Sequence, residues 1–532
     1  MEETKIESAK EASNESEVFS DKIPEDYKSG VSGKLDVSAW LIVVTELCER
    51  FTFYGITVML PEYLMYKYND SRSAVVLKVK AFSFLAYFST IIGAVVADQW
   101  LGKFRTIFLF SIWYFFGTVL LSIFSMDNIS LKLSSAMFIV SVYFFVGIGT
   151  GGIKANVSSF VAEQVDKVYH STEKPGVYIS PTLTVEKCYR YFYWAINIGA
   201  FLGMAVCPQL AMHMSYTAAF LSTLIVILIS FVLFTSGRKK YKINSPKYSI
   251  FGKTYRCILY AIENRKNTSN QNKIYKNTDT SKEDRNKSLL SEKNHWLDIS
   301  KGLEMAEWDD SFVEGIKSCI EACKVFSFFP FYWMLYNNVT DVLILQAMRM
   351  RKPNWISYNQ LGLLTQISVV SIIPLYEFVC TKILYKKNII LSPITRIAIG
   401  FVVITIGFIY TTIIQKIIYT YPPYYNFAGG NVDKFSHNDI SVWWQVPSYI
   451  LIGSSEIFAS VTGLEYAFSK APPELKSVLS AIYLFTNCLG SLIGLGLSGF
   501  SEDPNILNMF IGETGLMAVL TAMFWIVFRK RA

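Results

Sequence analysis

The sequence predicts an all-α membrane protein of 12 transmembrane helices arranged as two six-helix bundles. Three observations carry this prediction. Of 532 residues, 52% are hydrophobic and only 17% are charged, against about a quarter charged in ordinary soluble domains. The charges gather in short clusters between apolar runs, and each run approaches the ~20 residues needed to cross hydrocarbon. One long polar stretch, 237–318, divides six such runs from six more.

Taken in order, the apolar windows are 39–60, 78–97, 105–125, 136–160, 189–211, 215–236, 320–339, 360–383, 393–416, 442–467, 477–499 and 508–528. Residues 1–35 are polar, Ser- and Lys-rich and lack an apolar core, so they read as a disordered tail rather than a cleavable signal peptide. The expected units are this tail, a bundle over 36–236, a linker over 237–318 and a second bundle over 319–532. Most Lys and Arg fall in the loops at 98–105, 161–188, 237–319, 384–392 (Lys386, Lys387) and 468–476, and in the terminal Arg529-Lys530-Arg531. By the positive-inside rule those loops and both termini face the cytoplasm. Within the linker, the Asn-, Lys-, Ser- and Thr-rich stretch 265–293 has too little apolar surface to order itself. Trp296 and Trp308 predict that the linker's end is ordered. Its role is a tether, with a regulatory loop as the other possibility. Six helices, a linker and six helices is the two-half plan of many secondary transporters.

Several functional classes are disfavoured at this level. The excess of 50 basic over 42 acidic residues is too diffuse for a nucleic-acid footprint. The eight cysteines show no metal-type pairing, and even Cys319 and Cys323, four apart on one helix, have no histidine nearby. The four histidines are scattered. No metal or cofactor is expected, and no nucleophile–base pairing suggests an enzyme.

The first window holds the most informative chemistry. Glu46, Glu49 and Arg50 lie within an apolar span, at spacings that place them on one helical face. Each such charge at a helix centre costs about 2.5–3.5 kcal/mol on insertion scales. They are tolerated when they pair with one another or face a water-filled cavity, and a proton path is the leading reading. The fourth window contains Gly147-Ile-Gly149-Thr-Gly151-Gly152-Ile-Lys154. Without a preceding strand or a Lys-Ser/Thr ending, these glycines indicate tight helix packing rather than a phosphate loop. Lys154 either snorkels to the interface or faces the cavity as a cation. Asn197, in the fifth window, needs a partner, which is a neighbouring helix or a substrate. Glu456 is an acid deep in the tenth window. It is either a hydrogen-bonded structural group or the group that receives a ligand ammonium.

Between the second and third windows, Gly93 to Arg105 includes Asp98, Lys103 and Arg105. This resembles the loop motif of the major facilitator superfamily, in which such charges latch one half to the other. Further segments resemble the proton-dependent oligopeptide transporter family, a branch of that superfamily. They are Glu46-x-x-Glu49-Arg50-Phe-x-Phe-Tyr54-Gly55, Gly149 to Phe160, Phe192 to Gly199, Phe329-Pro-Phe-Tyr-Trp333, Ser455 to Phe468 and Ala471-Pro-Pro-Glu-Leu-Lys476-Ser477. The pattern after Glu456 is most similar to the fungal branch.

The resemblance implies a major facilitator fold that moves di- and tripeptides with protons by alternating access, as a monomer in the lipid bilayer. It implies proton coupling by Glu46, Glu49, Arg50 and Lys154. It implies a peptide site formed by Arg50, Tyr54, Lys154, Asn197, Glu456, Ser460 and Tyr483, with Glu456 meeting the peptide amino terminus. The plasma membrane is the expected address, with a vacuole-like membrane as the alternative. The chain departs from the family pattern at Phe53, Thr57, Phe82, Asn337 and Thr365, where relatives often carry Tyr, Arg, Tyr, a carboxylate and Asn. A nitrate or other small-solute transporter of the same fold and a non-transporting peptide sensor remain as alternative readings.

Overall fold

The computed structural model describes residues 29–166, 168–173, 176–244, 250–275, 295–302, 306–378, 391–428, 432–472 and 475–529. Expectations for residues 1–28, 276–294, Cys380, Lys386 and Lys387 lie outside them, as do the placements of Lys530 and Arg531 and the side chains of Lys476 and Ser477.

The first half runs through helices Val37–Tyr68, Arg72–Leu101, Lys103–Phe124, Leu131–Ala162, Pro181–His213 and Tyr216–Ser236. The second half begins with Asp310–Phe326, and after a turn the seventh crossing continues as Phe329–Tyr336. Leu363–Phe378, Pro393–Ile418, Val446–Glu456 with its continuation to Lys470, Lys476–Leu497 and Ile506–Phe528 complete it. Among the described residues, eight helices are long and apolar enough to cross a membrane by composition alone. The first helix escapes that count because it carries Glu46, Glu49 and Arg50, while the seventh crossing is broken into short pieces.

Small residues let the first half close up. A Cβ on Gly93 would stand 2.5 Å from the Cα of Gly152, and one on Gly199 would stand 2.3 Å from the carbonyl oxygen of Leu47. Both distances are impossible for a side chain, so the second helix meets the fourth, and the fifth meets the first, backbone to backbone. Wider π-type turns at Val140–Gly147 and Ile457–Val461 lie just before the Gly149–Lys154 segment and just after Glu456. Such turns re-aim the side chains beside them and recur at functional sites.

Every hydrogen bond and ion pair that joins the halves among the described residues lies at mid-depth or towards the end opposite the chain termini. Glu62 accepts from Ser357 and Asn359, Gln209 donates to Gln360, and Arg72 donates to the Leu345 carbonyl at 2.7 Å and pairs with Asp503. Among the described residues, no such tie is made at the end bearing the termini. The molecule is sealed at one end of the bundle.

Two features differ from expectation. A small sheet, absent from the sequence reading, pairs Ser29–Val31 (β1) in parallel with Val177–Ile179 (β3), which also pairs antiparallel with His170–Ser171 (β2). In the linker, a helix spans Ile250–Tyr275 and runs past residue 265, where the polar composition predicted disorder. Once nucleated, a helix extends at one hydrogen bond per residue fixed, so a polar continuation is tolerated. Trp296–Ser300 packs on this helix, as the two tryptophans predicted, with the Trp308 indole donating to the Ser300 carbonyl.

Candidate functional site

The polar groups of the first half converge on the first helix. Spacings of three and four residues bring Arg50 against both acids: Nε lies 3.1 Å from Glu46 Oε1, and Nη2 pairs with Glu49 Oε2. All three residues are at most 3% exposed, so the charges neutralise one another rather than being hydrated. Thr150, on the glycine-rich fourth helix, donates to Glu49 Oε1 at 2.5 Å. The face therefore reaches a second helix through a single hydroxyl. Arg50 also stacks on Phe53, 5.4 Å from the ring centroid.

One helical turn beyond Thr150, Lys154 is half-buried and forms no ion pair among the described residues. Its ammonium rests 4.0 Å over the ring of Tyr87. Tyr54, also half-buried, is within electrostatic reach of Arg50, Tyr87 and, across the gap between the halves, Glu456. The Asn197 amide donates to the Tyr193 carbonyl at 2.8 Å within its own helix, so its nitrogen needs no second helix.

In the facing half, Glu456 is half-buried, and its Oε2 accepts from the Tyr336 hydroxyl at 2.5 Å. Tyr332 bonds Ser455 at 3.2 Å, and the Trp333 indole donates to Thr486 at 3.1 Å. An aromatic layer on the seventh crossing thereby holds the tenth-helix carboxylate in place. The result is a polar cleft with, on one wall, a cation that makes no ion pair among the described residues and, on the other, a hydrogen-bonded acid. Its opposed charges suit a short zwitterion lying across the gap.

Comparison with known proteins places the chain in a family. Residues 104–517 match the model of the POT family, PTR2. A probable peptide transporter, ptr2, of Schizosaccharomyces pombe is 33% identical over 512 residues, covering 94% of this chain and 78% of that protein. The peptide transporter PTR2 of Saccharomyces cerevisiae is 32% identical over 94% of this chain and 80% of its own length. The chain belongs to the POT family. Among solved structures, the POT family transporter PepTSo superposes with a TM-score of 0.73 at 21% identity, over 94% of this chain and all of that one. An auto-inhibited POT family peptide transporter gives 0.68 at 21% identity, over 92% and 95% of the two chains. The fold is therefore that of POT transporters, with 12 helices in two bundles, and these relatives are transporters rather than enzymes.

Within this POT chain several expectations shift. Tyr483 is 2% exposed, ringed by Phe326 and Phe329, and its hydroxyl donates to the Ser460 carbonyl at 2.8 Å. In this conformation its ring packs in the aromatic core behind Ser460. Of the expected latch, Lys103 pairs with Glu163 of its own half, Arg105 is exposed, and among the described residues no bond from Asp98 reaches the other half. Among the described residues the ties between the halves lie at mid-depth or towards the other end, and none involves these three side chains. Phe82, which stands where relatives often carry a second-helix tyrosine, is buried against Phe53, and the ring of Tyr87 on the same helix lies under Lys154. Asn337 bonds Asn487 and Ser491, each at 3.0 Å, and Thr57 bonds its own backbone. Thr365 is buried.

Sequence reasoning missed Thr150, Tyr87 and Tyr336 as partners, and it missed the charges of the sealed end. Those charges carried a readable signal. Lys80, Asp341 and Glu513 stand in or beside apolar windows, where an ionisable residue is a functional candidate by default.

Proposed function

We propose that this protein is a proton-coupled symporter that imports di- and tripeptides by alternating access. The observation that carries the reading is the opposition of Lys154, which makes no ion pair among the described residues, to Glu456 across a cleft sealed at one end. The peptide carboxylate docks against Lys154, with Arg50 behind it, and the peptide ammonium docks against Glu456. Tyr54, Asn197 and Ser460 supply the polar contacts between. A protein whose substrate completes the charge balance between its halves favours the closed, loaded state over the closed, empty one.

The proton's role follows from the first-helix face. With Glu46 and Glu49 both ionised, Arg50 is held by two carboxylates. A proton on one of them loosens that hold and releases Arg50 towards substrate. The basic loops set both termini in the cytoplasm, so the sealed end faces outward and the cleft opens inward. The plasma membrane is the assigned address. The names of the relatives favour peptides over nitrate, and an acid beside a bound anion disfavours a small inorganic anion on its own.

Dipeptide uptake into proteoliposomes, with and without an imposed proton gradient, tests the reading. Gradient-driven accumulation is expected for the native chain. Glu49→Gln is expected to keep exchange of internal for external peptide while losing accumulation. Full gradient-driven uptake by that variant would remove the coupling role assigned to Glu49.

A further inference from the structure

The sealed end contains a second set of buried charges that the peptide cleft does not use. Lys80, on the second helix, reaches across the seam between the halves. Its ammonium donates to Asn338 Oδ1 at 2.7 Å and pairs with Asp341 Oδ2 at 3.2 Å, both on the seventh crossing. Asn338 turns its amide the other way, donating to Glu513 Oε2 on the last helix at 2.8 Å. The exposures are 1% for Lys80, 1% for Asn338, 0% for Asp341 and 4% for Glu513. The eleventh helix makes room for the lysine, since a Cβ on Gly494 would stand 3.0 Å from Lys80 Cε.

The charges in this cluster do not balance. It holds one cation and two carboxylates. Among the described residues, Lys80 and Asp341 are the charged groups that act on Glu513. The ninth helix, packed against the last, offers Phe408 to Phe510 and Thr412 to Thr514, while its Lys416 is exposed. With Lys80 and Asp341 both charged, an ionised Glu513 leaves one uncompensated negative charge sealed from water, which protein interiors strongly disfavour. A proton on Glu513 makes the closed cluster neutral and leaves the Asn338 bond intact.

We propose that Glu513 is a proton-binding site of the outer seam, loaded from the external solution while the halves are apart and required for the seam to close. The inference rests on the alternating-access reading above. Parting the halves carries Lys80 away with the first bundle. Asp341, Asn338 and Glu513 stay on the second, where the two carboxylates share a site without their cation and take a proton from outside. Closure then returns Lys80 to Asp341 and Asn338, and the proton stays on Glu513 until the seam reopens. Acid outside thus favours the sealed state independently of the first-helix face.

A native reporter is available. Cys488, on the eleventh helix, is buried with its sulfur 3.7 Å from the Phe84 carbonyl oxygen across the same seam. Its modification by a membrane-impermeant thiol reagent added outside, read by mass spectrometry, follows seam opening without requiring transport. In the native protein, labelling is expected to fall as the outer pH is lowered. Glu513→Gln is expected to give low labelling that no longer depends on pH. Lys80→Met, which leaves two carboxylates to neutralise, is expected to displace the curve to lower pH by about one unit or more. A Glu513→Gln curve that titrates like the native one, or a Lys80→Met curve that stays in place or moves to higher pH, overturns the proposal. If Glu513→Gln does not assemble, Lys80→Met decides alone. Loss of gradient-driven uptake by the native chain would instead defeat the symport reading and leave this measurement standing.

Discussion

Two buried clusters, each of two carboxylates and one cation, divide the labour of this molecule. In the first, Glu46, Glu49 and Arg50 lie within five consecutive residues of one helix, so their pairing travels with the first half as a rigid unit. In the second, Lys80, Asp341 and Glu513 come from three crossings on both halves, so the pairing exists only when the sealed end is closed. Equal charge composition gives different mechanics. A cluster confined to one helix can store a proton through a conformational change. A cluster divided between halves reports and biases that change.

Four tests break or sharpen this contrast. The largest effect is expected for Arg50→Ala, which strands two carboxylates at most 3% exposed. Breaking a buried pair in this way costs on the order of 3–5 kcal/mol. Thermal unfolding in detergent is expected to show the loss, with uptake abolished.

Next, Lys80→Met is expected to weaken the closed seam by about 2–3 kcal/mol, and adding Asp341→Asn is expected to recover more than half of that. Such a pair couples only in the closed state. Cys488 labelling at fixed pH measures the coupling, and strictly additive effects would count against a seam-specific pair.

Smaller is Tyr336→Phe, which removes the hydrogen bond to Glu456. Bonds to charged groups contribute about 1.5–3 kcal/mol. The expected outcome is at least about tenfold weaker binding of peptides with a free amino group, amino-blocked peptides being little changed. Equal loss for both would detach Tyr336 from the ammonium site.

The smallest effect lies outside the membrane, in the linker. Asp298 pairs with Lys317 and Lys301. Slight burial raises its carboxyl, but the hydrogen bonds from the two lysines outweigh this and hold it below the usual carboxylate range. Its stabilising contribution is therefore present at neutral pH and is lost as pH falls through the depressed value. Asp298→Ala is expected to cost under about 1 kcal/mol, screened by salt, and proteolysis of the linker at low and high ionic strength would register it.

These regions also mark how far the sequence could be read. The Glu46–Glu49–Arg50 face was legible because helical periodicity alone determines which side chains meet. The two-bundle plan was legible because hydrocarbon thickness sets the length of each apolar run. Lys80 with Asp341 and Glu513 was not, because their meeting depends on how two bundles pack across long sequence separations. Nor was Tyr336, because its bond to Glu456 depends on the relative placement of the seventh and tenth crossings. The latch residues illustrate the converse limit. Asp98, Lys103 and Arg105 form a recognisable motif, but a motif does not say which conformational state is on view.

The concentration of inter-bundle ties towards one end has a geometric consequence. The first helix, Val37–Tyr68, has 32 residues and so extends about 48 Å. With the polar contacts gathered near one tip, each bundle is a lever pivoting on its neighbour. A rotation of about 10° at that fulcrum moves the opposite tips by about 8 Å for helices of this length, roughly the width of an extended peptide backbone with its side chains. The doorway can therefore open to the size of its cargo while each helix keeps its shape and each bundle keeps its packing.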